Sequence, residues 1–283
     1  MKRSILILFI LLFLNILALP FVLFLSSSAY LRVSFFDVGQ GDSAFIETPQ
    51  NHQILIDGGP SYSGAVDKLS KEMPFWDKEI DLIILSHPES DHMTGLFDVL
   101  SNYKVDNILW NGVEKDGEKF KTWKMLVEKE GANVYYANFG DKVIAGDVSL
   151  DVISPKEKID GKVLKDSNDT SVVTKLSYKD SSFLFTGDIT SKGEKLLLND
   201  NIDSDILKVP HHGSKYSTSQ EFLNKVSPLV SVIQVGKNSY GHPTNEVLTR
   251  LDNSGIKVLR NDTNGDIKIV SDGTNYKIIT SKN

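Results

Sequence analysis

The chain has no cysteine among its 283 residues. Disulfides, thiolate ligands and cysteine-linked lipid anchors are therefore excluded, and any metal must be held by nitrogen and oxygen. Histidine is scarce as well: there are six, and five of them fall inside three short segments. Basic charge is in deficit, with 31 Lys and Arg against 37 Asp and Glu and a net charge of −6. Proteins that grip long duplex nucleic acid carry a basic stripe, and this sequence shows none. It also lacks internal repeats and low-complexity tracts. The length exceeds that of a modal domain but suits one α/β domain of about 250 residues behind a short extra segment.

What is present in concentrated form is Ser86-His87-Pro88-Glu89-Ser90-Asp91-His92, which sets two imidazoles and two carboxylates within one short run. This is a metal cradle in residue type and spacing, and the mixture favours zinc, manganese or iron over magnesium or calcium. It follows Asp81-Leu82-Ile83-Ile84-Leu85, an apolar run of strand length, so the ligands are expected where a buried strand opens into a loop. Ahead of it stand Asp37-Val38-Gly39-Gln40-Gly41-Asp42 and Asp57-Gly58-Gly59. The first lacks the context of a phosphate-binding glycine loop, and its glycines are read as letting backbone approach the cleft. Behind it come Asn168-Asp169-Thr170-Ser171, Thr186-Gly187-Asp188 after Phe183-Leu184-Phe185, Lys208-Val209-Pro210-His211-His212-Gly213-Ser214, and Asn238-Ser239-Tyr240-Gly241-His242-Pro243. His52, between Asn51 and Gln53, reads as an exposed turn residue.

The order of these motifs resembles the metallo-β-lactamase fold of metal-dependent hydrolases, in the branch typified by the hydrolase-like domain of the ComEC/Rec2 DNA-uptake proteins. The resemblance runs from about Leu31 to the C-terminus. It implies an αββα sandwich of two mixed sheets and two divalent ions, zinc or manganese. Carried over, His87 belongs to a first site, Asp91 and His92 to a second, Asp188 bridges them, and one of His211 or His212 completes the second. Glu89 stands where many members have another histidine, and Asn168-Asp169 near where they have a third. A first site with Glu89 would be rich in oxygen and suited to manganese. Asp57 and Asn168 are expected to orient ligands from behind. Asp91 doubles as a proton acceptor, and His242 as a phosphate contact or leaving-group acid. Ser214, Lys215 and Lys237 are expected to meet substrate phosphate, with Lys208 also at the mouth.

Lys2-Arg3 precede Ile5–Leu25, 21 residues whose one polar side chain is Asn15. At about 1.5 Å per residue such a helix reaches across a bilayer core. Residues 1–29 are thus expected to be a membrane segment and residues 30–283 the hydrolase domain. The flanking charges place the N-terminus inside and the body outside the cell. Ser27-Ser28-Ala29 also resembles a cleavage site, so an uncleaved anchor and a cleaved signal both stand.

Beyond that segment, β-rich runs are expected at Leu31–Phe36, Ser43–Glu47, Gln53–Ile56, Ser149–Ile153, Val172–Tyr178, Ser182–Phe185, Ile206–Val209, Leu229–Val235 and Ile267–Val270. Helical spacing marks Phe120–Glu130, Ser191–Leu198, Ser219–Lys225 and Asn245–Ser254. Three functions fit. The first is an extracytoplasmic metal-dependent phosphodiesterase or nuclease acting on DNA or nucleotides. The second keeps the metals for an esterase, a lactonase or a choline-phosphate phosphodiesterase, the last of which needs an aromatic cage. The third is a non-catalytic subunit of a DNA-uptake assembly.

Overall fold

The computed structural model describes residues 5, 7–16, 18, 30–61 and 64–282. Much of the anticipated membrane segment Ile5–Leu25 lies outside the described residues. Residues 7–16 are helical, and among the described residues no helix is long and apolar enough to cross a membrane.

From Leu31 onward the chain alternates strands and short helices. The first half runs β1 (Leu31–Phe35), β2 (Ala44–Glu47), β3 (Gln53–Ile56), α1 (Gly64–Glu72), β4 (Glu79–Leu85), α2 (Ser90–Met93), α3 (Leu96–Asn102), β5 (Lys104–Trp110), α4 (Glu118–Glu130) and β6 (Asn133–Tyr136). The second half continues with β7 (Lys142–Ala145), β8 (Val148–Ser154), β9 (Val173–Tyr178), β10 (Ser181–Phe185), α5 (Ser191–Leu197), β11 (Ile206–Lys208) and α6 (Gln220–Val226). It closes with β12 (Val230–Ile233), α7 (Asn245–Asn253), β13 (Lys257–Arg260), α8 (Asn261–Asn264), β14 (Ile267–Ser271) and β15 (Tyr276–Thr280).

Two sheets result. One has eight strands in the order β15-β14-β1-β2-β3-β4-β5-β6, the other seven in the order β13-β12-β11-β10-β9-β8-β7. Both are mixed: β3 to β6 run parallel in the first and β10 to β13 in the second, while the remaining pairs are antiparallel.

The apolar run of β4 shows why a sheet forms there. Leu82 and Ile84 point into the layer between the sheets, against residues such as Phe183, Phe185 and Val232. Ile80, Ile83 and Leu85 point the other way, onto Leu69 of α1 and Phe97 of α3. A stretch covered on both faces needs apolar side chains at consecutive positions, and β4 supplies them from Leu82 to Leu85. A third cluster lays Phe222 and Leu223 of α6, Val247 and Leu251 of α7, and Leu197 of α5 on the outer face of the second sheet. The layers are therefore helix, sheet, sheet, helix. In α4, Phe120 and Trp123 are buried and Val127 packs beside them, a spacing that keeps one helical face on the sheet. The helix stops at Gly131, whose left-handed backbone (φ 73°) sends its N–H back to the Val127 carbonyl.

Candidate metal centre

Parallel strands leave their carboxyl ends along one rim, and five of them deliver the site. β3 ends at Asp57, β4 at Ser86-His87, β10 at Thr186-Gly187-Asp188, β11 before His211-His212, and β12 before Gln234. The short helix α2 follows β4 directly and carries Asp91 and His92. Gly41 makes the closest backbone approach: a Cβ there would lie 2.2 Å from the Asp91 carbonyl oxygen. A glycine is required at that position.

Asp91, His92, Asp188 and His212 each offer a ligand atom within 4.8 Å of the others. Asp188 Oδ2 lies 3.3 Å from both His92 Nε2 and His212 Nε2, and Asp91 Oδ2 lies 3.3 Å from His212 Nε2. The far nitrogens are fixed from behind. His92 Nδ1–H donates to Asp57 Oδ2 at 2.8 Å, and His212 Nδ1–H donates to the Gln234 carbonyl at 2.8 Å. Asp57 is itself held by the Ser86 N–H (2.8 Å) and hydroxyl (2.7 Å). Because that hydroxyl donates to Asp57, it accepts from His87 Nδ1–H at 3.0 Å. The proton is thereby placed on Nδ1, and the lone pair of His87 Nε2 is free. Asn168 contributes through its backbone: its carbonyl accepts from the Ser171 hydroxyl, whose oxygen accepts the Asp188 N–H at 3.1 Å.

The imbalance of polar groups is a direct argument for a cation. His87 Nε2, His92 Nε2, His211 Nδ1 and His242 Nδ1 are all buried without a hydrogen-bond partner. Buried polar atoms of this kind are rare because each costs on the order of 1–3 kcal/mol. The open His92 Nε2 lies in the Asp91, His92, Asp188 and His212 set, whose nitrogen and oxygen donors fit a metal ion.

The electrostatics agree. Burial alone would raise the Asp188 carboxyl, but His212, His92 and Lys208 outweigh it and hold it well below the usual range. Burial alone would lower His92, but Asp188, Asp57 and Asp42 hold it well above the ordinary value. His212 behaves in the same way through Asp188 and Asp42. In the absence of a metal, protons on these two imidazoles answer the carboxylates. His87 is the opposite case, pushed down to about 3 by burial and by His92, and is neutral.

Several expected residues stand outside the ligand quartet. Glu89 is not among the gathered ligands: its Oε1 is taken by the Lys115 ammonium and by the Ser167 hydroxyl at 2.9 Å. His211 faces His242, with ring centroids 5.7 Å apart, and is not in the quartet. Ser214 is buried and accepts the Tyr216 N–H at 3.3 Å, away from the cleft. Lys215 lies over the Tyr216 ring, and neither it nor Lys237 lines the cleft. Lys208, expected at the mouth, is 2% exposed at the base of the site. Its Nζ donates to the Gly187 carbonyl at 2.8 Å and pairs with Asp42 and Asp188. Asp42 Oδ1 also lies 3.3 Å from His212 Nδ1. The buried Asp42–Lys208 pair escaped assignment although both residues sit in quoted motifs.

The cleft itself encloses about 280 Å³, lined by Gln40, Asp91, Lys165, Asn168, His211 and His242 among others. Its one lysine is Lys165, against Glu89, Asp91, Asp166 and Asp188. A larger cavity of about 660 Å³, bordered by Tyr135, Tyr136 and Ile144, lies by the edge strands β6 and β7 and holds none of these ligands.

Residues 36–237 match the family model of the metallo-beta-lactamase superfamily. The chain belongs to that superfamily. Its curated relatives include ComE operon protein 3 of Bacillus subtilis, 32% identical over 84% of this chain, and Competence protein ComA of Neisseria gonorrhoeae, 32% identical over 83%. Recombination protein 2 of Haemophilus influenzae is 27% identical over 84%. The chain spans about a third of the length of the first two, at 32% of each, and 28% of the third. Among solved structures, the metallo-beta-lactamase fold protein YhfI of Bacillus subtilis superposes with a TM-score of 0.57 at 10% identity, covering 84% of this chain and 99% of that one. That likeness is one of fold.

The support behind the ligands can be tested apart from the ligands. Asp57→Asn keeps the shape but removes the charge that orients His92. Metal affinity is expected to fall about 10–100-fold, read by metal titration, with the fold retained by circular dichroism. Unchanged affinity would contradict the role of Asp57.

Proposed function

We propose that this chain is a metal-dependent phosphodiesterase that cleaves DNA or nucleotides. The observation that carries the proposal is the charge of the cleft: four carboxylates and one lysine line or border it, so an anionic substrate is repelled until a dication is bound. The two-imidazole, two-carboxylate set suits zinc or manganese. The ion, when held, supplies Lewis acidity toward a phosphoryl oxygen and acidifies a water.

The chain's own groups do the remainder. The Asp91 side chain, 35% exposed, is the quartet member that reaches solvent, and its carboxylate is placed to take a proton from a water in the cleft. His242 is held at about 4 by burial and by His211, so it is neutral near pH 7. A neutral imidazole serves as a hydrogen-bonding contact to phosphate and holds no proton to give as an acid. Asn238 fixes it there, with Oδ1 accepting the His242 N–H at 3.1 Å and Nδ2 donating to its carbonyl at 2.8 Å. Lys165 at the rim is the cation available to a second phosphate.

DNA as substrate is supported by relatives named for competence and recombination. A cleft of about 280 Å³ and a net charge of −6 favour a strand end or single nucleotide over gripped duplex. The choline-phosphate alternative is disfavoured: Trp110 at the end of β5 and Trp123 within α4 are buried, Tyr135 and Tyr136 border the other cavity, and Tyr240 is the one Phe, Tyr or Trp lining the cleft. A panel with manganese or zinc tests the reading: bis-aryl phosphodiester, single-stranded DNA, aryl ester and lactone. Phosphodiester and DNA cleavage is expected to exceed the carbonyl substrates, and faster ester or lactone hydrolysis would overturn it. We place the body outside the cell behind an anchor in residues 1–29. Protease added to intact cells is expected to digest the body, and full protection would reverse this topology.

A further inference from the structure

Metallo-β-lactamase sites are commonly drawn with two ions, yet two of the oxygens that a second ion would use, Asp188 Oδ1 and Glu89 Oε1, face lysine ammonium groups. Asp188 has one oxygen for each side. Oδ2 faces His92 and His212, while Oδ1 lies 3.5 Å from the Lys208 ammonium. Lys208 is anchored there by Asp42 and by the Gly187 carbonyl at 2.8 Å, in a buried position from which it cannot swing to solvent. On the other flank Glu89 Oε1 is paired with the Lys115 ammonium and the Ser167 hydroxyl. Asn168 turns its carbonyl to Ser171 and has no charge to offer. Of the groups that the resemblance assigns to a first site, His87 Nε2 and the second oxygen of Glu89 remain without a partner. One imidazole and one carboxylate oxygen fall short of the four or more ligands that a divalent ion takes.

We infer that this chain binds one divalent ion, at Asp91, His92, Asp188 and His212, and that the Lys208 and Lys115 ammonium groups take the place of a second. The inference rests on the metal centre described above and refines it. Each lysine meets a carboxylate that the two-ion arrangement would assign to a metal, and each adds a positive charge that opposes another cation nearby. Lys208 is then a positioning residue, since it selects which Asp188 oxygen faces the ion.

The test uses the full chain in detergent, stripped with chelator and titrated with manganese. Bound metal per chain is measured by mass spectrometry, and spin coupling by electron paramagnetic resonance. The expected result is one manganese per chain with the spectrum of an isolated ion. In Lys115→Ala, Glu89 is released, and a second manganese is expected to bind at least about tenfold tighter than in wild type, at the lower end of what neighbouring groups do to metal affinity. Its signature is a coupled spectrum. Lys115 is near the surface, so this variant should fold. Lys208→Met strands buried carboxylates and is read in the same assay with circular dichroism as the fold control. Two coupled ions in wild type would overturn the inference and leave the phosphodiesterase reading standing. Failure of Lys115→Ala to gain affinity for a second ion would remove Lys115 from it. A chain that binds no manganese or zinc would overturn the metal centre and the functional reading together.

Discussion

Asp188→Ala is expected to lose both bound metal and hydrolysis, by more than about 100-fold, because a ligand should matter more than the groups behind it, which cost 10–100-fold. Asp188 Oδ2 is the one oxygen within 3.3 Å of both ligand imidazoles. The fold should survive, since Lys208 keeps Asp42 and the Gly187 carbonyl as partners. Circular dichroism, metal content and phosphodiesterase rate together check this. Retention of a tenth of the activity would remove Asp188 from the ligand set.

Asp42→Ala carries the second large effect, and it falls on stability. The side chain is 3% exposed and pairs with the ammonium of Lys208, itself 2% exposed. Removing one partner of a buried pair leaves an uncompensated charge, at a cost of about 3–5 kcal/mol. Asp188 remains 3.5 Å from that ammonium and softens the loss. The double variant Asp42→Ala/Lys208→Met should recover much of it, because removing both charges costs far less than stranding one. Denaturant midpoints of the two variants read the difference. A single variant within about 1 kcal/mol of wild type would show that Lys208 finds its compensation elsewhere.

The parts legible in the sequence are those whose signal is local. β4 announces itself because its second half, Leu82 to Leu85, is covered on both faces and apolar at every position, and its loop carries the ligands immediately afterwards. Ser219 and Gly131 mark the ends of α6 and α4 through local capping. α3 escapes such reading because the residue before it is Gly95, which has no side chain to cap the helix and mark its start. β6 is exposed at all four positions on a sheet edge, so neither alternation nor an apolar run identifies it. Within the site, Asp91, His92 and Asp188 could be named from motif order, whereas the choice between two adjacent histidines could not. His211 and His212 both adopt left-handed backbone (φ 52° and 53°), and which ring turns inward depends on the Gln234 carbonyl beyond β12.

Lys208 and Glu89 show the limit most clearly. A lysine is expected at the surface unless it is paired, and the partners of Lys208 come from the loop after β1 and the turn after β10. Only the stacking of two sheets brings them together. Glu89 sits two residues after His87, where ligand spacing alone would place a donor. Its N–H bonds back to the His87 carbonyl at 2.9 Å, and its carboxylate instead reaches Lys115 after β5.

The most direct measurement of the central claim is cleavage of a 5′-labelled single-stranded oligonucleotide by the full chain, stripped with chelator and then supplied with manganese or zinc. The account predicts no cleavage without metal, cleavage when metal is returned, and loss of that cleavage in Asp91→Ala. Cleavage that needs no metal, or that persists undiminished in Asp91→Ala, would contradict it.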